Sequence, residues 1–207
     1  MSNLSVKVFF DEARRGALLG PELTQEEVSG CMTILDAMSG TPLSFVAYAL
    51  ATAYHETAHT MQPVHEYGGP KYFTRLYDIQ GANQSLARRL GNLQPGDGAK
   101  YAGRGYVQLT GRYNYRKAGT LLSINLVDNP GLAMRHDIAA KVMRLGMVGG
   151  WFTGKALVDY LPSKSKANKL QFTQARRIIN GTDKAARIAD YALQFQEYLS
   201  IAGWPND

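Results

Sequence analysis

Between Pro42 and Met61 the chain carries Phe45, Val46, Tyr48, Ala49, Leu50, Ala51 and Ala53, apolar positions that fall on almost every side of a helix. A helix of this kind has no face to present to water. It has to lie inside the domain, so a chain built around it must wrap it with other elements. Its end is of another character, because His55, Glu56 and His59 put three polar side chains where the apolar run stops.

The rest of the chain supplies helices. Thr24 followed by Glu27 is a capping-box pattern that opens a helix over 25–38, with Val28, Cys31, Met32, Leu35 and Met38 on one face and Gly40 closing it. Further helical periods run over 84–90, 112–122, 138–152, 172–180 and 184–201. Residues 62–80 and 91–105 are rich in Gly, Pro and Tyr without a helical period and read as loops or short irregular hairpins. Tyr106 to Leu109 suggests one short strand, and no series of βαβ units appears, so the fold class is mainly α. At 207 residues the chain corresponds to a single domain over 1–207, with the helices of 1–40 packed on a core spanning 44–200.

Composition removes several classes of function. Apolar residues make up 45% and charged residues 19%, which excludes a disordered chain. The net charge of +6 is concentrated in residues 101–207, which hold 15 basic against 7 acidic residues, whereas the first hundred hold 8 against 10. That asymmetry fits a protein working on an anionic matrix; nothing beyond charge speaks for nucleic acid. The lone Cys31 excludes an internal disulfide and sits at a core position of its helix. No apolar stretch is long enough for a membrane span, and the first ten residues lack the apolar run of a signal peptide.

His55-Glu56-Thr57-Ala58-His59 matches the zinc motif H-E-x-x-H, in which two imidazoles one helical turn apart hold the metal and the glutamate acts as base. A zinc peptidase is therefore one reading. Against it, no third ligand follows at a suitable spacing: Glu66 is seven residues past His59, and Pro63 ends the helix soon after. The expected metal content and cofactor content are none.

The second reading concerns the carboxylates. Glu56 stands at the negative end of an otherwise apolar helix, and both burial and the helix dipole favour its protonated form. Glu66, ten residues on in a Gly- and Tyr-rich loop, has no such reason to be neutral and is expected to stay ionised. Two carboxyls in contrasting environments are the parts of glycoside hydrolysis, one giving a proton to the departing sugar oxygen and the other activating water.

The segment Tyr101-Ala102-Gly103-Arg104-Gly105-Tyr106-Val107-Gln108-Leu109-Thr110, with Asn114 and Tyr115, closely resembles the Y-x-G-R-G-x-x-Q-L-T-x-x-x-N-Y segment of glycoside hydrolase family 19. His55-Glu56-Thr57 is similar to that family's H-E-T, and Ile178-Ile179-Asn180-Gly181 to its I-I-N-G, in the same order. The run Pro95-Gly96-Asp97-Gly98 and the lack of paired cysteines look more like the phage endolysin branch than the plant chitinases. The resemblance implies a lysozyme-like, two-lobed helical fold with a central cleft, and an inverting mechanism. It implies Glu56 as acid and Glu66 as base. Gln108, Thr110, Asn114 and Asn180 would bind water and N-acetyl sugars, Tyr101, Tyr106 and Tyr113 would offer flat faces to sugar rings, and Arg187 would line the cleft. Ala58, His59 and Thr60 depart from the small residues that commonly follow H-E-T, and Tyr191 stands where a second arginine is found. The substrate implied is the glycan of peptidoglycan, with chitin and a non-catalytic wall-binding role as alternatives. The expected protein is a monomer made in the host cytoplasm, acting on the wall after release, with a membrane-permeabilising holin giving access.

Overall fold

The computed structural model describes residues 4–16, 18–20 and 22–205. It is mainly helical, as the periodicity predicts: α1 (Val6–Arg15), α2 (Gln25–Ala37), α3 (Leu43–Glu56), α4 (Pro70–Tyr77), α5 (Gln84–Arg89), α6 (Asp97–Lys100), α7 (Arg112–Leu122), α8 (His136–Gly149), α9 (Lys169–Ala175) and α10 (Ala185–Ile201). Two-residue strands β1 (Val64–His65) and β2 (Arg104–Gly105) pair antiparallel, Val64 with Gly105 and His65 with Arg104. The strand expected at 106–109 is therefore displaced; only Leu109 bridges back, to Arg104. The described chain divides into two compact units, Met1–Gln62 with Met143–Asp207, and Pro63–Val142. None of the described helices is long and apolar enough to cross a membrane.

In the first unit α3 is the centre, and every residue from Leu43 to Tyr54 is buried. Helix α10 packs along it, α1 and α9 pack on α10, and α2 packs on α3. Leu43, Phe45, Val46 and Leu50 each contribute about 1.5–3 kcal/mol by leaving water. Aromatic contacts join the helices: Phe9 stacks on Phe195 at 6.5 Å and Tyr48 on Phe172 at 6.5 Å. The Thr24/Glu27 capping box forms as the sequence predicts, with the Glu27 amide donating to Thr24 Oγ1 at 3.1 Å and the Thr24 amide to Glu27 Oε2 at 2.8 Å. Cys31 is fully buried, a core residue.

The second unit contains the segments expected to be loops, yet each holds a short helix, α4 within 62–80 and α6 within 91–105. Pro70 occupies the first position of α4, where its missing N–H costs nothing, and Phe73 anchors the helix inward. Helix α4 packs on α5 and α6. Fully buried Asp78 accepts hydrogen bonds from the amides of Gln80, Gly96 and Gly98 at 3.1, 2.9 and 3.0 Å, which ties the end of α4 to the 96–98 turn. Arg112 grips Asp97 through two bonds of 2.6 and 2.9 Å, and Asp97 is only 3% exposed.

Candidate functional site

Helix α3 ends at Glu56, five residues earlier than an unbroken period to Met61 would have it. Thr57 is the cause. Its hydroxyl donates to the Ala53 carbonyl at 2.8 Å and accepts from the Met61 amide at 3.0 Å, competing with the helical backbone bonds. The chain then turns through left-handed conformations at Ala58 (φ 50°), His59 (φ 75°) and Met61 (φ 55°). Each costs an L-residue roughly 1–2 kcal/mol. Packing holds the turn in place: a β-carbon on Gly30 of α2 would lie 1.9 Å from the Met61 carbonyl oxygen, so only glycine admits so close an approach.

This turn removes the geometry of the zinc motif. His55 lies in the last turn of α3, but His59 lies beyond it, with its ring stacked on Tyr54 at 4.2 Å and 10°. Its Nε2 is 3.4 Å from the Tyr191 hydroxyl. The two imidazoles are thus not one helical turn apart, and among the described residues no group of three or more His, Cys, Asp or Glu converges as a metal site.

The sequence sets burial and the helix dipole around Glu56; the structure adds a cation to them. Arg176, at the start of a short 3-10 segment (Arg176–Ile178), donates from Nη1 to Glu56 Oε1 at 2.6 Å and from Nε to the Asp183 carbonyl at 3.0 Å. The Arg176 side chain is 3% exposed and that of Glu56 is 21% exposed. Next to the pair, burial holds the His55 imidazole below its ordinary value of 6.5; the Glu56 charge works against this and the Arg176 charge adds to it. Asn180 and Arg187 belong to the same unit and are exposed, Asn180 just past the 3-10 segment and Arg187 on α10.

The second carboxylate, Glu66, directly follows β1. Its amide donates to the Gly103 carbonyl at 2.8 Å, its Oε2 accepts from the Gly103 amide at 3.0 Å, and its Oε1 accepts from the Tyr77 hydroxyl at 2.8 Å. A cavity of about 410 Å³ opens beside it, lined by His65, Glu66, Tyr67, Gly68 and Gly69. Gln108, itself left-handed at φ 53°, donates from Nε2 to the carbonyls of Val64 (3.1 Å) and Gly105 (3.2 Å). That leaves its oxygen free to turn toward Gly103. A β-carbon on Gly103 would lie 2.7 Å from Gln108 Oε1, 3.0 Å from Glu66 Oε2 and 3.2 Å from Thr110 Oγ1. Three side chains singled out from the sequence therefore converge over one glycine. Asn114 donates to the Thr110 carbonyl at 2.8 Å.

Two tyrosines expected to face sugar rings do not. Tyr101 is fully buried, packed on Tyr115 at 5.3 Å, with its hydroxyl donating to the Val127 carbonyl at 3.0 Å. Tyr106 is also fully buried, with its hydroxyl 3.4 Å from His136 Nδ1. Each ring fills core volume, leaving no face for a ligand; Tyr113, by contrast, is 57% exposed. Arg104 is structural, donating to the carbonyls of Lys100 and Ala102 and to the Tyr115 hydroxyl. Asp78 is committed to its three backbone amides. The sequence reading missed Arg176 and Tyr77, the charged and hydroxyl partners of the two carboxylates. Arg176 stands two residues before the I-I-N-G motif, the only local signal that pointed to it.

Solved structures share this fold. Chitinase C from Streptomyces griseus HUT6037 aligns with 98% of this chain and 78% of its own, at a TM-score of 0.54 and 19% identity. A bacterial family 19 chitinase, whose structure was described as differing from plant enzymes, aligns with 98% and 96% at a TM-score of 0.53 and 20% identity. The fold is thus the lysozyme-like one of the family 19 chitinases. The profile of the glycoside hydrolase family 19, chitinase class I, matches residues 39–154, more than half of the 207, and the chain belongs to that family. A stretch of 52 residues is 42% identical to Chitinase 11 of Oryza sativa subsp. japonica, 25% of this chain and 20% of that protein, so the match spans about a fifth of the relative's length.

Proposed function

We propose that this protein is an endolysin-type glycosidase that hydrolyses β-1,4 bonds in the glycan strands of peptidoglycan by an inverting, single-displacement mechanism. The observation that carries the reading is the convergence of Glu66, Gln108 and Thr110 over Gly103, a hydrogen-bonding cradle beside a carboxylate. Glu56 is the general acid: its proton passes to the glycosidic oxygen as the bond to the anomeric carbon breaks. Glu66 is the general base: it takes a proton from the water whose oxygen forms the new bond to that carbon. Arg176, already 2.6 Å from Glu56 Oε1, stabilises the carboxylate that proton transfer leaves behind. Gln108, Thr110 and Asn114 orient water and the acetamido group near Glu66. Asn180, Arg187 and exposed Tyr113 bind sugars.

Peptidoglycan is favoured over chitin by the net charge of +6, which concentrates the protein on an anionic wall. That attraction weakens with salt, as screening shortens to about 8 Å at physiological ionic strength. The test is reducing-end release from purified peptidoglycan and from soluble chitin at equal enzyme across a salt series, with NMR of the first product. The expected result is faster release from peptidoglycan, falling with salt, and an α-anomer before mutarotation. Faster chitin cleavage, muropeptides cut only at amide bonds, or a β-anomer overturns the reading.

A further inference from the structure

We infer that Tyr77 is the positioning residue of Glu66, fixing the orientation in which that carboxylate takes its proton; this rests on the assignment of Glu66 as base. A carboxylate held through one oxygen can still rotate about the bond to its side chain. Glu66 is held through both, the Gly103 amide on Oε2 at 3.0 Å and the Tyr77 hydroxyl on Oε1 at 2.8 Å. The first donor is backbone and comes with the loop. The second is the side chain that locks the plane.

Tyr77 is itself fastened at both ends. Its ring stacks on buried Phe73 at 6.4 Å and 13°, and its carbonyl accepts from Asn92 Nδ2 at 2.9 Å. Asn92 is fully buried, and its Oδ1 accepts the Arg112 amide at 2.8 Å. The end of α4 and the start of α7 thus set where the hydroxyl points. Burial, together with the hydrogen bond to Glu66 and that residue's charge, pushes the Tyr77 phenol above its ordinary value of 10.0. Across any working pH the hydroxyl remains a donor and does not compete as a base. The arrangement supplies orientation without proton transfer.

Tyr77→Phe keeps the ring and its stack on Phe73 and removes only the donor. With solubilised glycan strands as substrate, the expected result is a fall in kcat of about tenfold to a hundredfold, the scale of a misplaced reacting group. KM should stay within about twofold and the melting temperature within a few degrees. The decisive comparison is a cycle with Glu66→Gln: once the base is gone its orientation no longer matters, so Tyr77→Phe should add no further loss to the residual rate. A Tyr77→Phe variant with parental kcat, or the same proportional loss in both backgrounds, overturns the inference, the latter identifying a packing effect. Should Tyr77→Phe melt far below the parent, Tyr77→Trp, which retains a ring and a donor, must recover part of kcat, and its failure to do so counts against the inference. Parental turnover in Glu66→Gln alone sinks the base assignment instead, so the two failures are distinct.

Discussion

Replacing Glu56 strikes at stability as well as chemistry, because its partner Arg176 is 3% exposed. In Glu56→Ala the guanidinium keeps only the Asp183 carbonyl at 3.0 Å, and a buried charge loses its counter-ion. Breaking a buried pair from one side costs about 3–5 kcal/mol. The Glu56 side chain is 21% exposed, so water reaches the vacated space, and the low end, about 3 kcal/mol, applies. For a chain of this size each kcal/mol moves the midpoint by about 2–4 °C, which gives a drop of about 6–12 °C. Glu56→Gln keeps an acceptor for Arg176 and loses only the charge assistance, about 1.5 kcal/mol or 3–6 °C. Removing both charges in Glu56→Ala/Arg176→Met should be less damaging than the two single penalties added, by about 1.5–3 kcal/mol. Calorimetry and urea unfolding of the four proteins measure this cycle directly. Additive penalties, or a Glu56→Ala midpoint within about 2 °C of the parent, would refute the reasoning. The catalytic loss in Glu56→Gln, expected at about 10²–10⁴-fold, is then to be read well below its lowered midpoint.

Gly103→Ala should cut turnover at least about tenfold, because its β-carbon meets Gln108 Oε1 at 2.7 Å and displaces the cradle around Glu66; parental kinetics in this variant would deny the cradle a role. The His55 imidazole is depressed below 6.5 in the fold, so the unfolded chain binds its proton first and stability falls as pH drops below about 6.5. His55→Gln should flatten that part of the stability profile, and an unchanged slope in urea titrations from pH 7 to 5 would show that His55 is not its source. Since α3 stops at Glu56 and His59 stacks on Tyr54, dialysis against a chelator should leave turnover intact; activity lost on chelation and restored by zinc would reinstate the peptidase reading. Burial raises the Cys31 thiol above its ordinary value, so the native protein should resist a thiol reagent that labels it fully in urea, and rapid native labelling would contradict its core placement.

Helix α3 was legible because an all-apolar helix has only one physical solution, burial, and the structure buries its whole length to Tyr54. The capping box at Thr24 was legible for a similar reason, since its two bonds connect residues three apart and depend on nothing distant. The end of α3 was not. Rules for helix ends look for glycine or proline, and here three non-glycine residues adopt left-handed backbone while a threonine hydroxyl and a close approach of Gly30 stabilise the turn. Helix α4 was missed because its eight residues are too few for a clear period and lie among glycines and tyrosines that read as loop.

The candidate site divides along the same line. Gln108 and Thr110 stand within one motif, and a motif of contiguous residues carries its local geometry with it, including the glycine that admits Glu66. The partners of the two carboxylates come from elsewhere: Arg176 is 120 positions from Glu56, and Tyr77 lies at the end of an unforeseen helix. No periodicity links such pairs. The misplaced tyrosines show the converse. Tyr101 and Tyr106 flank Gly103 and Gly105 in the motif, and proximity to a binding segment suggested that they bind; yet the glycines can open the backbone on one side only if bulky rings fill the core on the other. In this segment the glycines admit the neighbouring side chains and the large residues hold the loop in place, so a tyrosine in a glycine-rich motif is better read first as the anchor of the loop and only then as a ligand contact.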